Sequence, residues 1–89
     1  MLIRSQDKRI LINMNNVSSI EVGDNELRIF ADDGETIYDL GSYSTRAKAM
    51  KVLDMVQDAY ERYEYEKVFK TGLTLFETFQ MPEDGSVEV

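Results

Sequence analysis

Apolar residues recur along this chain in two different rhythms. Through the first forty positions they come in short bursts or in alternation: Leu2-Ile3, Ile10-Leu11-Ile12, Ile20 and Val22, Leu27, Ile29 and Ala31, then Ile37 and Leu40. A spacing of two, broken by turn-forming residues, belongs to half-buried strands. From Ala49 the spacing changes to three and four, through Val52, Leu53, Val56, Ala59, Tyr60 and Tyr63, which places seven residues on one stripe of a helix. Asp54, Asp58, Glu61 and Lys51 fall opposite.

The breaks between bursts supply the connections. Leu2-Ile3-Arg4 and Ile10 to Met14 flank the turn-rich Ser5-Gln6-Asp7-Lys8-Arg9 and predict a hairpin. Asn15-Asn16 turns the chain into a third extended segment, Val17 to Val22. Gly23-Asp24-Asn25 turns it into a fourth, Glu26 to Ala31, and Asp32-Asp33-Gly34-Glu35 into a fifth, Thr36 to Leu40. Such short links predict an antiparallel meander. Gly41 to Thr45 holds several N-cap residues, with Ser44 the expected cap, and the helix should run to about Tyr65 or a little beyond. Met50 and Met55 lie on the flanks of its apolar stripe. After Thr71-Gly72, the run Leu73 to Met81 reads as a strand that needs a sheet, either its own or that of a second copy. The expected fold is therefore α+β: an antiparallel β-sheet meander packed by one long α-helix, with a C-terminal β-strand. Residues 1–82 form one domain and 83–89 a flexible acidic tail.

Composition narrows the chemistry. A chain of 89 residues holds one modest core, and self-association is a natural supplement to it. It has no cysteine and no histidine, so disulfides, thiol chemistry, His-based zinc sites and Ser-His or Cys-His catalysis are excluded. No catalytic, metal or cofactor residues are expected, and the chain is not expected to be an enzyme. The start is unlike a secretory signal and no apolar run approaches membrane length, so a cytoplasmic location without membrane contact is expected. The net charge of −7 argues against non-specific nucleic-acid binding.

Against that charge the basic residues stand out. Arg4, Lys8 and Arg9 surround the first turn. Arg46, Lys48 and Lys51 sit in the first two turns of the helix with no acid between Thr45 and Lys51, while the acids Asp54 to Glu66 come later. This order opposes the helix dipole, which favours acids at the start by roughly 0.3–1 kcal/mol each. Free N–H groups of the first turn, with Ser44, Thr45, Arg46 and Lys48, would suit a phosphate. If the first hairpin lies beside the helix start, Arg4, Lys8 and Arg9 join the same pocket, and Tyr43 or Tyr38 supplies a stacking ring. The plainer explanation is that these bases answer the acidic strands, since Glu21 to Asp39 carries seven acids and one arginine. Asp32-Asp33-Gly34-Glu35 lacks the spacing of a calcium loop. Asn16-Val17-Ser18 matches a glycosylation acceptor, which a cytoplasmic chain would not use.

Three stretches together, Ile3-Arg4-Ser5-Gln6-Asp7-Lys8, the run Leu40-Gly41-Ser42-Tyr43-Ser44-Thr45 to Ala49 leading into Val52-Leu53-Asp54-Met55-Val56-Gln57, and Phe79-Gln80-Met81-Pro82, resemble a family of small, mostly uncharacterised proteins encoded by phages and prophages of Gram-positive bacteria. The resemblance spans nearly the whole chain and carries no catalytic motif. It implies a protein that acts by binding in the host bacterial cytoplasm. One recurring class of such proteins looks like oligomeric sponges that sequester nucleotide immune signals. The leading expectation is thus non-catalytic, anti-defence capture of a small phosphate-bearing ligand by a homo-oligomer, held by Arg4, Lys8, Arg9, Tyr43, Ser44, Thr45, Arg46 and Lys48. The alternative is an acidic inhibitor or adaptor that binds a basic host protein.

Overall fold

The computed structural model describes residues 1–24, 27–69 and 78–89. Six strands and one helix follow in order: β1 (Leu2–Arg4), β2 (Leu11–Asn13), β3 (Ser19–Val22), β4 (Arg28–Asp32), β5 (Ile37–Ser42), α1 (Arg46–Phe69) and β6 (Thr78–Gln80). Short 3-10 turns occupy Met14–Asn16 and Asp84–Ser86. The mixed α+β architecture is the one the two rhythms predict. The helix passes Tyr65 to reach Phe69, as expected, while Thr71-Gly72 and the first part of the expected last strand lie outside the described residues.

The single meander is corrected to two three-stranded sheets, ordered β2-β1-β6 and β3-β4-β5. The division falls at Met14–Asn16. There the Asn13 side chain accepts the N–H of Asn15 at 2.9 Å and winds the chain into a 3-10 turn, so that β3 begins a new sheet instead of continuing the first. The predicted hairpin is present as β1 and β2, antiparallel with Ile3 opposite Ile12. β6 lies parallel to β1, with Phe79 beside Ile3, and so finds its partner within its own chain. β3, β4 and β5 form the meander proper. A register shift between Ile29 and Phe30 leaves Leu40 unpaired with β4, and Leu40 gives its carbonyl to the N–H of Gln6 at 2.7 Å. That bond fastens the second sheet to the turn of the first.

The core lies between α1 and the sheets. Ile3, Ile29, Leu40, Val52 and Met81 are among its fully buried side chains, and each such aliphatic contributes about 1.5–3 kcal/mol by leaving water. Of the predicted helix stripe, Ala49, Val52, Val56 and Tyr63 are buried, while Leu53, Ala59 and Tyr60 are half-buried. Met55 packs against the core, and Met50 is exposed.

Residues 83–89, expected as a flexible tail, are instead held against the body of the protein. Val87 is only 5% exposed, and Asp84 bonds to the helix start. The composition is acidic, but one apolar residue and one well-placed carboxylate suffice to anchor the segment.

Candidate functional site

The structure shows directly what fills the start of α1. Thr45, not Ser44, caps the helix: its Oγ1 accepts the N–H of Lys48 at 3.1 Å. Ser44 instead donates its backbone N–H to Asp84 Oδ1 at 2.7 Å. Lys48 Nζ donates to the carbonyl of Asp84 at 3.1 Å and lies 3.5 Å from Asp84 Oδ2. Of the groups expected to hold a phosphate at the helix start, the Ser44 N–H and Lys48 thus meet a carboxylate of the same chain. The bond from the Ser44 N–H, helped by Lys48, holds the Asp84 carboxyl below the usual aspartate range.

Arg46 and the two tyrosines are similarly engaged. Arg46 Nη1 donates to the carbonyl of Gly23 at 3.1 Å. Tyr43 is 4% exposed and so cannot offer a ring face for stacking. Its hydroxyl donates to the carbonyl of Pro82 at 2.9 Å, and burial, with Asp84 and Glu83 nearby, pushes its pKa up to about 12. Tyr38 is half-buried, with its hydroxyl on Asp33 Oδ2 at 3.2 Å.

At the first hairpin the basic residues frame a built turn. Buried Ser5 donates from Oγ to Asp7 Oδ1 at 2.7 Å and accepts the N–H of Ile10 at 3.0 Å. Asp7 Oδ1 also accepts the N–H of Arg9 at 3.0 Å. These bonds, the one from Ser5 first, hold the Asp7 carboxyl below its usual range. Lys8 adopts a left-handed φ of 68°, and its carbonyl accepts from Arg4 Nε at 3.1 Å. Arg4 and the Lys8 backbone therefore close the turn around a chain reversal that a non-glycine residue adopts at a cost.

Both basic regions border one segment, Gln80 to Asp84. Met81 donates its N–H to the carbonyl of Arg4 at 3.0 Å, and Gln80 Nε2 donates to the carbonyl of Ser5 at 2.9 Å. Gln6 Nε2 reaches the carbonyls of Ser42 and Pro82, and its Oε1 accepts the N–H of Ser42 at 3.0 Å. The hairpin and the helix start are thus tied together through residues that sequence reasoning passed over: Gln6, Gln80, Pro82 and Asp84. One signal could have led to Asp84. A helix beginning with three bases and no acid calls for an anion, and the sequence left open whether the chain itself supplies it.

Two of the protein's concavities bear on the search for a site. A groove of about 410 Å³ runs between α1 and the segment Met14–Ile20, lined by apolar Met14, Val17, Ile20, Leu53, Val56 and Tyr60 with Ser18, Ser19 and Gln57. A cleft of about 310 Å³ opens where Gln6 and Asp7 face β5, beside the Arg28–Asp39 ion pair. Neither is lined by Arg4, Lys8, Arg9, Arg46 or Lys48. Among the described residues, no cluster of acids suits a metal ion, and no helix is long and apolar enough to cross a membrane. Set against family models, curated proteins and solved structures, the chain matches none of them.

Proposed function

We propose that the chain is a non-catalytic binding protein that docks a basic protein partner, the inhibitor or adaptor reading of its acidic surface. The observation that carries this choice is the Asp84 carboxylate on Ser44 and Lys48, because it fills the seat that a phosphate-bearing ligand would need. The charge of −7 then remains as the chain's strongest long-range feature, and it draws basic surfaces while repelling polyanions. The resemblance to phage-encoded proteins supports a partner in the bacterial host cytoplasm. Self-association belongs to the same proposal, with Leu11 on β2 and Ile37 on β5, 57% and 66% exposed, offering apolar contact on edge strands.

Capture of a small phosphate-bearing ligand is the second reading. What favours it is that the helix start already coordinates an anion, so a more highly charged one has a geometry to compete for.

The test immobilises the full chain, passes bacterial extract over it, and raises the salt from 0.1 to 1 M, which shortens the screening length from about 10 Å to about 3 Å. One basic protein retained at low salt and released at high salt is expected. Retention that ignores salt, or that a cyclic dinucleotide abolishes, overturns this reading, and native mass reports the self-association.

A further inference from the structure

We propose that the groove between α1 and Met14–Ile20 is the docking surface, and that its occupant is a segment of the partner carrying a few apolar anchors flanked by Lys or Arg. This deepens the protein-binding reading and rests on it.

The groove's floor and rim differ in character. Six of the nine lining residues named above are apolar or aromatic, and none is charged. Its volume of about 410 Å³ lies within the range of built binding sites. The rim on α1 is acidic and is fixed by the lining itself. Gln57 Nε2 donates to Glu61 Oε1 at 3.1 Å, and the Glu64 carboxylate near the Tyr60 hydroxyl pushes the tyrosine pKa up. Helical spacing sets Leu53, Gln57, Tyr60 and Glu64 on one strip, so the two carboxylates stand beside the apolar floor.

Three of the nearby bases are engaged by other partners. Lys48 is bonded to Asp84, Arg46 to the carbonyl of Gly23, and Arg28 to Asp39. Arg62 lines a separate cavity on the other flank of α1 with Met55, Asp58, Ala59 and Phe79. An apolar trough with an acidic rim complements a basic amphipathic segment. A second copy fits less well, because it would bring like charge, −7 on each chain, to the same rim.

The test uses the full chain and two synthetic 18-residue peptides, one of Leu and Lys at helical spacing and one with Glu in place of Lys. Amide-resolved NMR titration locates binding, and melting temperature confirms that each variant is folded. The Leu–Lys peptide should bind with shifts concentrated at Ile20, Leu53, Gln57 and Tyr60, and the Leu–Glu peptide should not bind. Gln57→Lys and Asp58→Asn each change the net charge by one unit, on opposite flanks of α1. Gln57→Lys should weaken binding about tenfold or more, whereas Asp58→Asn should change it by less than about twofold.

Equal weakening by the two variants, shifts spread over the whole acidic surface, binding of the Leu–Glu peptide, or no binding at all overturns the groove. So does concentration-dependent self-association of the peptide-free chain that shifts the same four residues. A basic partner recovered from extract whose binding Gln57→Lys leaves unchanged also rejects the groove, while the protein-binding reading stands.

Discussion

Asp84 Oδ1 accepts the backbone N–H of Ser44 at 2.7 Å across forty residues of sequence, and the same carboxylate faces Lys48. One contact thus ties the helix start to the chain's last segment and places a carboxylate beside Lys48.

Its pH dependence has a definite sign. The Asp84 carboxyl titrates below an unfolded aspartate, whose pKa is about 3.9, so its contribution is complete above that value and is lost as the pH falls through the folded one. Asp84→Asn should therefore lower the melting temperature at pH 7 and flatten its fall on acidification. Thermal melts from pH 7 to pH 2 check this. An unchanged acid limb would mean that the contact is not formed in solution.

At the other end of the pH scale, Tyr43 should be the last tyrosine to ionise. Its pKa, about 12 in the folded protein, exceeds the unfolded value of about 10, so stability is complete below pH 10 and declines as the pH rises toward 12. Ultraviolet titration of phenolate formation should show a late component that disappears in Tyr43→Phe. That variant also leaves the Pro82 carbonyl with the Gln6 amide alone, at a cost of about 1 kcal/mol.

A side chain at Gly41 should press on Gln6. A Cβ built there stands 3.0 Å from Gln6 Cβ and 3.3 Å from Gln6 Oε1, so Gly41→Ala presses on the residue that joins β5 to Pro82. A loss of about 1–3 kcal/mol in denaturant melts is expected. The double variant Gly41→Ala with Gln6→Ala should lose less than the sum of the two single changes, because the clash goes with the side chain.

Deleting residues 83–89 should destabilise the domain, which a free tail would not do. Burial of Val87 alone accounts for about 1.5–3 kcal/mol, and Val87→Ser in the full chain should reproduce most of that loss. Chemical denaturation of both variants measures it.

The sequence revealed what local patterns encode. The three- and four-residue spacing from Ala49 to Tyr63 placed the helix and its buried face, and Ser5 to Arg9 marked the first turn. Tertiary partners were not legible in the same way. Whether β2 continues into the next strand's sheet depends on the Asn13 side chain choosing the N–H of Asn15, and whether the sheets meet depends on Gln6 reaching Ser42 and Pro82. Of the two bases that open the helix, Lys48 meets a carboxylate while Arg46 meets the carbonyl of Gly23. The source of that carboxylate was hidden, because Asp84 lies in a short polar stretch whose composition looks like that of any solvated terminus.

The most direct test of the central claim is a thermal-shift titration of the wild-type chain with inorganic phosphate and a cyclic dinucleotide, repeated on Lys48→Ala. With Asp84 holding the seat, neither compound should raise the wild-type melting temperature. A ligand present at a hundred times its dissociation constant would add about 2.7 kcal/mol of stability, an easily measured rise. A rise of that size in the wild type that vanishes in Lys48→Ala would contradict the account and establish the helix start as an anion-capture site.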